Sequence, residues 1–157
     1  LGFLLVATLA IGNGGGRILA GIISDKIGRK TTLLACFLLQ TAMIILLAVT
    51  RDGNFLATIP VLIILSALIG ANYGANLSIF PSITKDFYGT NHFGTNYGLV
   101  FTAWGFGGFM LSLLAGRLYD VHQTFAVAYY MAAALLVAAA LVSLFMKDPH
   151  HMEAQKS

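Results

Sequence analysis

Read for hydrophobicity alone, the chain is a run of long apolar stretches broken by short polar connectors, lying at about 1–23, 31–50, 55–80, 97–118 and 125–146. Each is close to or beyond the ~20 residues of helix needed to cross a ~30 Å hydrocarbon core. A water-soluble protein can bury one or two such segments, but five in series leave almost no polar surface for water. The pattern therefore predicts an all-α, polytopic membrane protein of five transmembrane helices, followed by a polar tail at 147–157.

Composition sharpens this picture. Of the 157 residues 58% are hydrophobic and 10% charged, against roughly 25% charged in ordinary soluble domains. The first residue is Leu1, inside an apolar run with no basic leader before it, and this predicts a piece truncated at its N-terminus. One cysteine, Cys36, excludes an internal disulfide and a multi-cysteine metal site. The net charge of +3 is spread over separate loops without an aromatic-interleaved patch, which argues against a nucleic-acid partner and leaves the lipid bilayer as the surrounding medium.

Charge does set sidedness, because Lys and Arg gather on the cytoplasmic side of short loops. Lys26, Arg29, Lys30, Lys85, Lys147 and Lys156 fall on one side, Arg51 and Arg117 on the other. The expected topology puts the first connector, the Lys85 loop and the C-terminus in the cytoplasm of a plasma (inner) membrane protein. His150 and His151 in the tail form at most an adventitious metal pair. Pro81–Asn96 is expected as a longer connector resting at headgroup level, since Phe87, Tyr88 and Phe93 interleave there with Lys85, Asp86 and His92. Arg117, Tyr119, Asp120 and His122 are expected as solvated charges of an outer connector.

The first connector, Gly21-Ile22-Ile23-Ser24-Asp25-Lys26-Ile27-Gly28-Arg29-Lys30, has an ordered layout. Gly21 permits close approach of a neighbouring helix, Gly28 a tight turn, and Asp25, Arg29 and Lys30 supply fixed charge. An acidic group here can favour the N-terminus of an adjacent helix or pair with an arginine. Such contacts can form in one conformation and break in another, so the segment reads as a conformational latch; the competing reading is a plain basic turn.

Arg17 lies about 8 residues before Asp25, hence roughly 12 Å inside the boundary at 1.5 Å per residue. A guanidinium at that depth costs at least ~2.5–3.5 kcal/mol on insertion scales and marks a pathway for polar cargo. Its planar fork of donors matches carboxylate or phosphate, and Asn13 shares its face at i,i+4. The competing reading is a fixed ion pair with an acidic residue elsewhere. Gly12 and Gly16, one turn apart, predict close packing on the same helix. In the third helix Gly70 and Gly74 predict a second small-residue packing face, with Asn72 and Asn76 either bonding between helices or lining a cavity and Tyr73 touching cargo. The fourth helix carries Tyr97, Thr102, Trp104 and enough glycines to permit a bend.

The spacing G-x-x-S-D-K-x-G-R-K resembles the signature of the major facilitator superfamily, which joins the second helix to the third and, less strictly, the eighth to the ninth. That resemblance implies a twelve-helix transporter, of which five helices ending in a cytoplasmic tail would be helices eight to twelve, with the first seven helices of the same chain as partner. Within the superfamily, Asn13–Arg17, Asn72-Tyr73-Gly74, Ser78-Ile79-Phe80-Pro81, Asp86-Phe87-Tyr88-Gly89, Asn96-Tyr97-Gly98 and Phe101–Gly105 resemble the oxalate/formate antiporter family, related to monocarboxylate transporters. The resemblance implies secondary transport of small organic anions such as formate, lactate, pyruvate or oxalate by alternating access. Arg17 matches that family's binding-site arginine, whereas Trp104 stands where dicarboxylate-handling members carry a lysine. One cation implies a monoanion or a proton-coupled mode.

The expected substrate contacts are thus Arg17, Asn13, Tyr73, Asn76, Tyr97 and Trp104, and the expected latch is Gly21, Asp25, Gly28, Arg29 and Lys30. No cofactor is expected beyond a proton or counter-anion as coupling species. The glycine-rich segments lack the G-K-[ST] ending of a phosphate-binding loop. A membrane-embedded enzyme would need paired carboxylates or a nucleophile with its base inside the spans, and no histidine falls in an expected span. A carrier for another small solute, or a structural membrane subunit, are the alternatives.

Overall fold

The computed structural model describes residues 2–51 and 53–146. They form five α-helices: α1 Gly2–Ile27, α2 Arg29–Ala48, α3 Ile59–Tyr88, α4 Phe93–His122 and α5 Ala126–Leu144, with one 3-10 turn at Phe55–Ala57 and no strand among the described residues. All five are long and apolar enough to cross a membrane. The tail at 147–157 lies outside the described residues.

Helix ends depart from the sequence reading in a consistent direction. The expected connector Pro81–Asn96 shrinks to 89–92, because α3 runs through Pro81 to Tyr88 and α4 already starts at Phe93. Proline removes one amide donor, but nearby hydroxyls and neighbouring helices keep a membrane helix intact around it. Here the carbonyl that Pro81 leaves without its usual donor is that of Leu77, and Ile79, Phe80 and Ile83 around the proline pack with Ala20, Leu33 and Cys36. At 30 residues each, α3 and α4 are about 45 Å long and outrun the hydrocarbon core. Arg117, Tyr119, Asp120 and His122 accordingly sit in the last turns of α4, not in a connector, and α4 is one continuous helix through its glycines. The first connector likewise contracts to a single residue: Ser24, Asp25 and Lys26 belong to α1, and Gly28 alone separates it from α2. Gly28 has φ +92°, a conformation that side chains with a Cβ rarely adopt.

The tightest packing is between α1 and α3, which run in the same direction. Gly12 and Gly16 lie on the backbone of Ala67 and Ala71, and Gly70 and Gly74 on that of Leu9 and Asn13. A Cβ at any of the four would be driven into the facing carbonyl. Hydrocarbon offers no hydrophobic drive for helices to associate, so small residues that let backbones close on each other decide where they meet. Gly21, expected to serve this purpose, does not: a Cβ there would meet only Ser78 Oγ at 3.7 Å, an ordinary contact. The crossing is centred nearer the middle of α1, and the helices have parted by that turn. Beside it, Ala20, Leu33, Cys36, Ala75 and Ile79 form a buried cluster shared by α1, α2 and α3, while α5 packs mainly along α2.

Candidate functional site: a charged knot and a separate uncharged cavity

At the basic end of the bundle Arg29 opens α2 and reaches two helices. Its Nη1 lies 2.7 Å from Asp25 Oδ1 of α1, and its Nε donates to Asp86 Oδ2 of α3 at 3.2 Å. The same Nη1 donates to the buried Ser24 Oγ, which in turn donates to the Gly21 carbonyl at 3.0 Å. The guanidinium fork suits this arrangement, since several fixed N–H groups can serve carboxylates from different directions. Lys30, one residue on, donates Nζ to the Leu144 carbonyl at 2.7 Å. A cation there meets the negative end of α5 and one of its unpaired carbonyls. Adjacent cations thus tie the ends of α1, α3 and α5 to the start of α2. The sequence reading names Asp25, Gly28, Arg29 and Lys30 but misses Asp86 and Leu144. Their distance along the chain, 57 and 114 residues, carried no local signal.

Arg17 is exposed on α1, with its Nε donating to Asn13 Oδ1 at 3.0 Å. Among the described residues no carboxylate pairs with it. Nor do three or more potential metal ligands come together among them.

The remaining expected contacts gather elsewhere. A cavity of about 540 Å3 lies between α2, α3, α4 and α5, and Tyr73, Asn76, Tyr97 and Trp104 all border it; Arg17 and Asn13 do not. Along α4 the rings of Phe93, Tyr97, Phe101 and Trp104 form a continuous row, with centroids 5.7, 5.6 and 4.9 Å apart. Spacings of three and four residues put these rings on one face of the helix. Phe101 lines the cavity too, as do Phe37 and Gln40 of α2; the sequence reading assigned none of the three to a site. Asn72, left open between two roles, is structural: it is 3% exposed, and its Nδ2 donates to the Cys36 carbonyl and to Gln40 Oε1, both at 2.8 Å.

Five membrane-length helices, a glycine-built crossing and a cation knot at one end of the bundle coincide with a sequence match: a family model described as Major Facilitator Superfamily covers residues 1–157. The chain belongs to that superfamily. Among curated relatives, it is 32% identical over 104 residues to an uncharacterized MFS-type transporter, YhjX, of Escherichia coli, covering 65% of this chain and 24% of that protein. It is 32% identical over 94 residues to the oxalate:formate antiporter of Oxalobacter formigenes, covering 58% and 21%. It is 29% identical over 136 residues to monocarboxylate transporter 14 of Homo sapiens, covering 85% and 25%. The chain spans about a quarter of the length of these relatives. As a facilitator-superfamily chain with five membrane-length helices, it is an integral membrane protein, and the Arg29 knot is built on the motif that carried the resemblance.

Proposed function

We propose that this chain is the C-terminal part of a secondary carrier that moves small carboxylates across the plasma membrane by alternating access. The rest of the carrier would be seven preceding helices, and the C-terminus would be cytoplasmic. The observation that carries the reading is Arg17: a guanidinium within a membrane-length helix, bonded to Asn13 and meeting no carboxylate among the described residues. An anionic cargo would supply the missing counter-charge and a planar, two-oxygen partner for the fork. Relatives named as an oxalate:formate antiporter and a monocarboxylate transporter point to the same cargo class. Trp104, with no second cation beside it, favours a monoanion, with a proton or a counter-anion as coupling species. The Arg29 knot would act as the latch, holding the basic end of the bundle together in one state and loosening in another.

The test is uptake of labelled formate, lactate, pyruvate and oxalate by the full-length protein carrying this chain, reconstituted in liposomes. Arg17→Gln is expected to lower carboxylate uptake at least about tenfold, the scale set by losing a charge-assisted bidentate contact, with the protein still folded. Uptake by folded Arg17→Gln equal to that of the parent would remove Arg17 as the anchor. Preference for a cation or a neutral sugar would remove the anion assignment itself.

A further inference from the structure

Two side-chain amides on successive turns of α3 face α2 and the cavity beside it. Asn72 Nδ2 donates to Gln40 Oε1 of α2, and Asn76 Nδ2 donates to the main-chain carbonyl of Asn72 at 2.9 Å. Gln40 and Asn76 each keep one polar atom unpaired. Gln40 spends its oxygen on Asn72, so its Nε2 is a donor with no partner among the described residues. Asn76 Oδ1 is a buried acceptor without one. Gln40 and Asn76 both border the cavity between α2, α3, α4 and α5, whose wall carries no charged residue and whose opposite side is the aromatic row Tyr97, Phe101 and Trp104. Its volume falls within the roughly 300–1,000 Å3 of small-molecule sites.

An unpaired buried amide costs free energy and calls for an occupant. Water is cut off from Asn76 Oδ1 where it lies. Rotation about the broad terminal torsion of an asparagine turns that oxygen toward a molecule in the cavity, at the cost of the Nδ2 bond to the Asn72 carbonyl, which belongs to the helical ladder of α3. The occupant must both accept and donate. It must also be neutral, because an ionised group taken into an uncharged apolar wall loses its hydration with no counter-charge in return. We propose that the cavity binds a small neutral amphiphile, an alcohol or an undissociated carboxylic acid. Its head group accepts from Gln40 Nε2 and donates to Asn76 Oδ1, and its tail lies along the rings of α4. This site is separate from the Arg17 anchor and does not depend on it.

A diazirine analogue of 1-octanol, photo-activated on the full-length protein in nanodiscs and mapped by peptide mass spectrometry, tests this. Labels are expected on residues 73–80 and 97–104, competed by 1-octanol at any pH and by octanoic acid at about pH 5 but not at about pH 8. Asn76→Leu should weaken octanol competition about three- to tenfold, the worth of one hydrogen bond. Ala103→Phe, which fills the cavity, should abolish the labels, and Arg17→Gln should leave them unchanged. The proposal falls if a diazirine alkane without the hydroxyl labels the same residues as strongly. It falls also if octanoate competes equally at the higher pH, or if the labels lie outside the cavity because another helix of the longer protein fills it.

Discussion

Asn72 shows how one amide can decide a local structure inside hydrocarbon. It is buried, and its two donor hydrogens are spent on the Cys36 carbonyl and Gln40 of the neighbouring helix, where water cannot replace either bond. Asn72→Leu is expected to lower stability by about 1–3 kcal/mol, because it strands an amide oxygen and leaves a shape mismatch; thermal unfolding in detergent measures this. The other buried polar side chains meet the same constraint locally: Ser24, Thr32, Thr41, Thr84 and Ser143 each donate a hydroxyl to a carbonyl three or four residues back. At this scale the sequence said that Asn72 was too polar to face lipid. Whether it bonds to protein or faces a cavity depended on Gln40, 32 residues away, and spacing cannot reveal that.

Among the elements, glycines of equal abundance have unequal work. Gly16 and Gly74 sit on a facing backbone, while Gly105 and Gly108 of α4 have open space where a Cβ would go. Gly16→Ala and Gly74→Ala should therefore each prise α1 from α3 and cost about 1–3 kcal/mol or more, as overpacking does. Gly105→Ala should be neutral or stabilising by up to about 1 kcal/mol through helix propensity. Melting temperatures of the three variants, measured in parallel, check the contrast; an Ala tolerated at Gly16 would refute the close crossing. The four-residue spacing of Gly12 with Gly16, and of Gly70 with Gly74, was visible beforehand, and so was the existence of all five helices. Their ends were not. Pro81 reads as a breaker in isolation, yet α3 passes through it, because Ile79, Phe80 and Ile83 on either side of it pack in or against the cluster shared with α1 and α2.

At the scale of the molecule, Arg29 and Lys30 convert one turn into a junction for four helix ends. The Arg29–Asp86 pair is partly shielded, at 22% and 32% exposure, whereas Asp25 is 66% exposed. A double-mutant cycle of Arg29→Ala with Asp86→Asn should therefore return a coupling of about 1 kcal/mol or less that shrinks with added salt, and Asp25→Asn a smaller effect. If the two single changes are strictly additive in thermal unfolding, the pair contributes nothing to holding the bundle. For the carboxylate carrier proposed above, the same exchange of Asp86 is expected to alter the rate of uptake more than its half-saturation, since the pair lies at the end of the bundle and away from Arg17.

What the sequence determined by itself was local and periodic: apolar length, hence membrane helices; small residues one turn apart, hence a close crossing; Gly28 before two cations, hence a turn. Those features depend on neighbours within a few residues, and the energy of placing them in lipid is a sum over short windows. The tertiary structure alone decided that Arg29 reaches Asp86 and Lys30 reaches Leu144. It alone placed Tyr73, Asn76, Tyr97 and Trp104 around a cavity that leaves Arg17 outside. Such pairings follow from which helix faces which, and in a bilayer that is set by backbone contact at a few glycines, because every apolar side chain is almost as well satisfied by lipid as by another helix.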